Sequence, residues 1–368
     1  MPERYAGVMS GTSLDGIDAV VADFAPSEGV CRTLGTVHHP IPGDLRSTLL
    51  RLQREGPGEL DAAARASVAL ADLYADAIAA ACAAASMATP DLIAAGVHGQ
   101  TVRHRPELGY TIQLNDAARV AERIGATVVA DFRHRDLAAG GQGAPLVPAF
   151  HAALFARTDR VRAVLNLGGI ANLTLLDPAG PVRGFDTGPG NVLLDAWHAK
   201  HRGAPVDLDG AWAASGAVDV ALLDGLRAEP FFARPPPKST GRDLFDLGWL
   251  ETRLVSIAPH AVPADVQATL VELTARTVAE ALLREIPVPA EMLVCGGGAH
   301  NPVLMKALAR ALAPALVVPT SSAGVAVDQV EALAFAWLAR ETLAGRPGNL
   351  PAVTGARGLR VLGAIHPR

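Results

Sequence analysis

The feature that most constrains this chain is a pattern that occurs twice. A short apolar run, Tyr5–Met9, meets a wide turn of Gly, Ser and Thr and continues at once into the strand-like Ile17–Phe24; Ala163–Leu167, Gly168-Gly169 and Asn172–Leu176 repeat the arrangement. Each half also holds a strand that ends in a Gly turn, Leu92–Gly99 in the first and Met292–Gly298 in the second. Helical runs lie between these strands, which places the chain in the α/β class. Two rough copies of one unit imply a duplication, with two similar lobes whose Gly tips converge on a common cleft.

The remaining elements fit that frame. Apolar residues at helical spacing predict helices over Leu60–Ser86, Asn115–Ile124, Val192–His201, Val266–Arg284, Pro302–Leu312 and Val327–Leu343, with Asn115 and Asn301 as caps. A strand is expected over Ala126–Ala130, and the Pro-rich run 234–241 cannot be helical. Residues 138–148 (AAGGQGAPLVP) carry the strongest loop signal, so the crossing between lobes is expected there. The expected division is 1–135 for the first lobe, with 350–368 returning to it, and 136–349 for the second.

Composition excludes several functions. The chain has 368 residues, long enough for two domains without staples. A formal charge of −5 argues against a dedicated nucleic-acid binder. The three cysteines are too far apart for a disulfide framework or a metal-binding spacing, which suggests a reduced, cytoplasmic protein. Met1–Tyr5 has no apolar core of a signal peptide. The apolar stretch Leu70–Met87 is broken by Asp72 and Asp76 and reads as a helix of a soluble protein, with no membrane partner. There is no G-x-x-x-x-G-K-[ST], no G-x-S-x-G and no H-E-x-x-H, and Gly188-Pro189-Gly190 lacks the third glycine of a dinucleotide fingerprint.

The Gly turns are the first candidates for chemistry. Glycine lets backbone N–H groups approach an anion without a Cβ in the way. Gly11-Thr12-Ser13 adds two hydroxyls, and Gly296-Gly297-Gly298 precedes a helix. On the residues alone, each could equally be a tight turn. Asp186 could be a helix cap, a metal ligand or a general base. His98 and Gln100 lie at an expected strand end, where α/β proteins place ligands. Arg133 could bind an anion or face solvent. Glu331 lies on an otherwise apolar helix, where a carboxylate needs a cation or a site. Asp195 and Asp328 are weaker candidates.

Several of these segments, taken together, carry a resemblance. Val8 to Asp18 (VMSGTSLDGID) resembles the N-terminal signature of the anhydro-N-acetylmuramic acid kinases. The likeness continues in order through His98-Gly99-Gln100-Thr101, Gln113-Leu114-Asn115, Asp131-Phe132-Arg133, Gly140 to Leu146 and Asn166 to Asn172. It ends with Phe185 to Asn191, Lys238-Ser239-Thr240-Gly241-Arg242, Cys295 to Gly298 and Asp328 to Glu331. The resemblance implies an actin-like ATPase (ribonuclease H-like) fold, with duplicated mixed-sheet domains and a central nucleotide cleft.

It also implies a reaction. The kinase opens the 1,6-anhydro ring of its sugar with water and phosphorylates O6, in the recycling of cell-wall peptidoglycan. The resemblance assigns water activation to Asp186. ATP would be held by the 11–18 turn (Gly11, Thr12, Ser13, Leu14, Asp15, Gly16, Ile17, Asp18), by Gly168, Gly169 and Asn172, and by Gly296, Gly297 and Gly298. Arg133 and Glu331 would anchor the sugar, with Arg133 on its lactyl carboxylate, assisted by His98 and Gln100. Mg²⁺ and a homodimer are further implications. One departure stands out: Met9 and Asn166 occupy positions where many actin-like ATPases carry metal-binding Asp residues. The metal ligands therefore stay unassigned, with Asp15, Asp18 or Asp186 as substitutes, or water carrying the metal. Two other functions compete: an ordinary sugar or carboxylic-acid kinase, and a non-enzymatic actin-like module that binds ATP.

Overall fold

A computed structural model describes residues 2–11, 14, 16–25, 31–241, 244–286 and 289–368. The chain divides into two compact units, residues 1–154 with 329–368 and residues 155–328. The boundary thus falls later than the expected 135/136, because the loop at 138–148 leads into a helix, Val147–Phe155, at whose end the chain crosses. The return to the first unit starts at Gln329, well before the expected residue 350.

The first unit is built on a seven-stranded sheet. Its strands are β1 (Arg4–Ser10), β2 (Ile17–Asp23), β3 (Arg32–His39), β4 (Ala94–Arg105), β5 (Tyr110–Leu114) and β6 (Thr127–Ala130), closed at one edge by β12 (Ala364–His366). β1 runs antiparallel to β2 and parallel to β4; β2 is antiparallel to β3, and β4 is parallel to β6. The second unit repeats this pattern in five strands, β7 (Arg162–Leu167), β8 (Ile170–Leu176), β9 (Arg183–Pro189), β10 (Glu291–Cys295) and β11 (Leu316–Pro319). β7 is antiparallel to β8 and parallel to β10; β8 is antiparallel to β9, and β10 is parallel to β11. The order β6-β4-β1-β2-β3 is therefore matched strand for strand by β11-β10-β7-β8-β9. The fold is α/β, with a duplicated mixed sheet.

In the first unit, helices sit tightly on the sheet because small residues face each other at the contacts. A Cβ on Gly7 of β1 would collide with the carbonyl of Ala332, and one on Gly96 of β4 with the carbonyl of Phe335. The Val330–Leu343 helix, with Ala332, Ala336 and Ala339 fully or almost fully buried, therefore lies directly on the strand backbones. The Glu59–Ala84 helix meets β3 in the same way at Gly35. By length and composition it could cross a membrane, but half of its most apolar stretch is buried within the protein. This close packing explains how the first core is filled largely by small and aliphatic residues, whereas the second also holds Phe185, Trp197, Phe231, Phe232 and Phe245.

Candidate active site

In the second unit, Asp186 lies inside β9, not at a helix start as a cap. β7, β8 and β9 align Asn166 with Asn172 and Asn172 with Asp186, so a polar row crosses the sheet. The first unit holds the corresponding row, Met9 with Asp18 and Asp18 with His38. Asp186 is half-buried. Its backbone N–H donates to the carbonyl of Lys238 at 3.1 Å, and the N–H of Thr240 donates to its Oδ2 at 2.9 Å. Burial pushes its carboxyl up to about 6, against the pull of the Thr240 N–H and the Lys238 cation. Lys238 rests 4.7 Å over the Phe231 ring and donates to the carbonyls of Phe231 and Phe232 at 3.3 Å. Burial, then the neighbouring Arg284, lowers its ammonium to about 8.

The Gly turns of this unit are tied together. The carbonyls of Gly168 and Gly169 accept from the N–H groups of Asn191, Gly190 and Val192 at 2.9–3.1 Å. The N–H of Val192, the first residue of the Val192–Arg202 helix, is therefore already engaged. Gly296 has φ +80°, and a Cβ there would overlap Asn166 and Leu167; Gly298 has no room for one beside Leu167. Gly297, by contrast, has nothing within 4 Å of a notional Cβ. Asn301 caps the following helix as expected, accepting from Val303 and Leu304. Asp328 pairs with His300 at 2.8 Å, and Asp195 lies in the first turn of the Val192–Arg202 helix.

In the first unit, β4 is longer than expected, so His98 and Gln100 sit inside it. Gln100 is fully buried, and its Nε2 donates to the carbonyl of Gly11 at 3.1 Å. It braces the first Gly turn from beneath. Leu14 and Ile17 pack into the core of this unit. The His38 ring packs against Gly16, in the space a Cβ would take. Asp18 is bonded to His38 Nδ1 at 2.8 Å. The expected contacts of Thr12, Ser13 and Asp15 lie outside the described residues, as does Arg242 of the Lys238 motif.

Arg133 is held from two sides. Its Nε and Nη2 donate to His98 Nε2 at 3.1 and 2.8 Å, and its Nη1 donates to the carbonyl of Gly143 at 2.7 Å. Because an arginine only donates, His98 Nε2 must be an acceptor and the ring is neutral. Burial, reinforced by Arg133, holds His98 well below its usual value. Burial also lowers Arg133 to about 10, opposed by Glu331 and Asp136. Gly143 is fixed in turn by Asp136, a buried carboxylate whose Oδ2 accepts from its N–H at 2.8 Å. Asp136 Oδ1 accepts from Asn349 Nδ2 at 2.7 Å and Thr354 Oγ1 at 2.8 Å. Sequence reasoning missed Asp136, Asn349 and Thr354; nothing in their local sequence marks them. It also assigned no role to Lys238 and Thr240, although their motif was visible.

No group of three or more His, Cys, Asp or Glu side chains that could hold a metal converges among the described residues.

The chain is similar to known proteins over nearly its whole length. Residues 3–368 match the family model described as anhydro-N-acetylmuramic acid kinase. A protein of that name from Bordetella petrii is 57% identical over 365 residues, covering 99% of this chain and 96% of its own. One from Cupriavidus metallidurans is 51% identical over 374 residues, covering 100% and 98%. Solved structures are more distant. The activator of a 2-hydroxyisocaproyl-CoA dehydratase from Clostridium difficile, with bound ADPNP, has a TM-score of 0.46 at 15% identity and covers 90% of this chain and 92% of its own. A match that spans the chain from Glu3 to its last residue, at more than half identity to such relatives, places the chain in the anhydro-N-acetylmuramic acid kinase family.

Proposed function

We propose that this kinase opens 1,6-anhydro-N-acetylmuramic acid with water while transferring the γ-phosphoryl group of ATP to O6, with Asp186 as the base. Water attacks the anomeric carbon and gives its proton to Asp186. The bond from that carbon to O6 breaks, O6 takes the phosphoryl group, and ADP leaves. The products are N-acetylmuramic acid 6-phosphate and ADP. This is the division of labour of an inverting glycosidase, with a phosphoryl group in place of the acid that protonates the leaving oxygen.

The observation that carries this reading is the environment of Asp186. One carboxylate oxygen is fixed by the Thr240 N–H, and burial brings its proton affinity to about 6, close to what a base needs near neutral pH. In the same reading, Gly11, Gly168, Gly169 and Gly296 to Gly298 offer backbone to the nucleotide, with Asn172 beside them. Arg133 takes the lactyl carboxylate and Glu331 a sugar hydroxyl, while His98 and Gln100 act behind them. Magnesium needs only one or two carboxylates, the rest of its shell being phosphate oxygens and water. Asp18 is compatible with that demand, and the ion would offset charge on the phosphates. A cytoplasmic enzyme of cell-wall recycling, acting as a homodimer, completes the proposal.

The test is an ADP-release assay with the anhydro sugar beside plain N-acetylmuramic acid, run in H₂¹⁸O. The proposal requires turnover of the anhydro sugar with label at C1 of the product. Turnover of the plain sugar alone would favour an ordinary sugar kinase, and no sugar-dependent ADP release would favour a non-enzymatic module.

A further inference from the structure

Behind Asp186 the second unit contains a cavity of about 100 Å³, lined by Phe185, Arg234, Pro235, Lys238, Arg284 and Glu285, among others. Three of these side chains are cations: Arg234 and Arg284 are exposed, and Lys238 is half-buried and feels the charges of Asp186 and Glu285. The Glu285 carboxylate is taken by Arg183. Arg284 has only a loose ion pair with Glu280 at 4.0 Å, and otherwise donates to the carbonyls of Glu280 and Phe232. Arg234 lies over the Phe231 ring, and Lys238 meets only the ring and two carbonyls. Among the described residues neither has a carboxylate partner within 4.0 Å. The pocket has room for several waters or for one tetrahedral oxyanion.

The geometry points to a binding site for a phosphate-type oxyanion between Arg234, Lys238 and Arg284, separate from the glycines proposed to hold ATP. Like charges gathered around a small cavity repel one another, and an anion between them removes that repulsion. Burial, then Arg284 and Arg234, lowers the proton affinity of Lys238, while Asp186 and Glu285 raise it. The fork of an arginine beside a lysine point charge is the donor set that suits a phosphate. Inorganic phosphate and a phosphomonoester share the required chemistry. The site also touches the proposed base: Phe185 precedes Asp186 in the chain, and the Lys238 carbonyl accepts from the Asp186 N–H.

The experiment is isothermal titration calorimetry of the full chain, saturated with ADP to block the nucleotide site, against inorganic phosphate and separately against methyl phosphate. The comparison is with an R234Q/R284Q double variant, whose folding is checked by its thermal transition and ADP affinity. We expect phosphate to bind with one site per chain and the double variant to bind at least about tenfold more weakly, the scale of losing charge-assisted hydrogen bonds. Equal affinity for methyl phosphate would identify a phosphomonoester head as sufficient; binding of inorganic phosphate alone would identify the free ion. No binding to the ADP-saturated wild type, or binding that the double variant leaves unchanged, would overturn the site. Neither outcome depends on Asp186 being the base, which the labelling assay tests independently.

Discussion

The Thr240 N–H points at Oδ2 of Asp186 from 2.9 Å, while the Asp186 N–H points back at the carbonyl of Lys238. The loop and the strand thus hold the carboxylate at both its backbone and its side chain. Replacing Asp186 by Asn keeps the shape and removes the base. We expect kcat to fall at least about 10³-fold with the sugar KM little changed. ADP release under saturating substrates reads this, and wild-type turnover would remove Asp186 from the role.

A base with a proton affinity near 6 predicts a pH profile. Activity should fall as the pH drops through about 6, because the carboxylate must be ionised to accept a proton. Lys238→Met removes a cation that favours ionisation, so the acid limb should move to higher pH, whereas Lys238→Arg should hold it closer to wild type. An acid limb at the same pH in both variants would deny Lys238 this influence.

The same shift has a thermodynamic side. Asp186 is raised in the fold from the ordinary 3.8, so the native state binds its proton more tightly than the unfolded chain does. Stability linked to this group is therefore greatest below about pH 4 and is lost as the pH rises through about 6. At pH 7, Asp186→Asn should be more stable than wild type by about 1–3 kcal/mol. Urea unfolding at pH 4 and pH 7 tests this; an equal difference at the two pH values would contradict it.

Arg133 and His98 should separate by their pH behaviour. Arg133→Gln should raise the KM for the acid sugar at least about tenfold, and less for an analogue whose lactyl carboxylate is amidated. His98 is a neutral acceptor, so its ring resonances should not titrate between pH 5 and 8. A His98 titration near 6.5 in NMR would mean that the bond to Arg133 is not kept in solution.

The contact between β1, β4 and the Val330–Leu343 helix carries a packing prediction. Gly96→Ala places a methyl group where the Phe335 carbonyl stands and should cost about 2 kcal/mol or more. Gly43→Ala, where nothing lies within 4 Å, should stay within about 0.5 kcal/mol of wild type. Denaturant midpoints compare the two. Because Glu331 rides on that helix, Gly96→Ala should also raise the sugar KM.

Much of the fold was legible because apolar periodicity and Gly turns are local signals. The two hairpins, the long Ala-rich helix and the Asn301 cap appear where the residues put them. β3, β5 and β9 were not read: β3 and β5 mix exposed and buried residues without clear alternation, and β9 (RGFDTGP) carries two glycines and a proline. Asp186 therefore looked like a residue before a helix. The cap expected at Asn115 falls instead on Asp116, whose side chain accepts from the Arg119 N–H. Of the site, Asp186 and Arg133 stood out by residue type. What holds them did not, since Asp136 meets Asn349 and Thr354 more than two hundred residues along the chain, and such a pairing leaves no mark in either segment.

The first unit is assembled from both ends of the chain, and this has a consequence for its synthesis. When residue 154 leaves the ribosome, β1 and β4 are complete, but the Gly7 and Gly96 face that receives the Val330–Leu343 helix is bare, as is the β6 edge that pairs with β12. All of residues 155–328 must be translated first, an interval of about 10–30 s at usual elongation rates. The second unit can fold during that time, while the first waits as an open-faced sheet that a chaperone could hold. In this protein the half that begins earliest is the last to close.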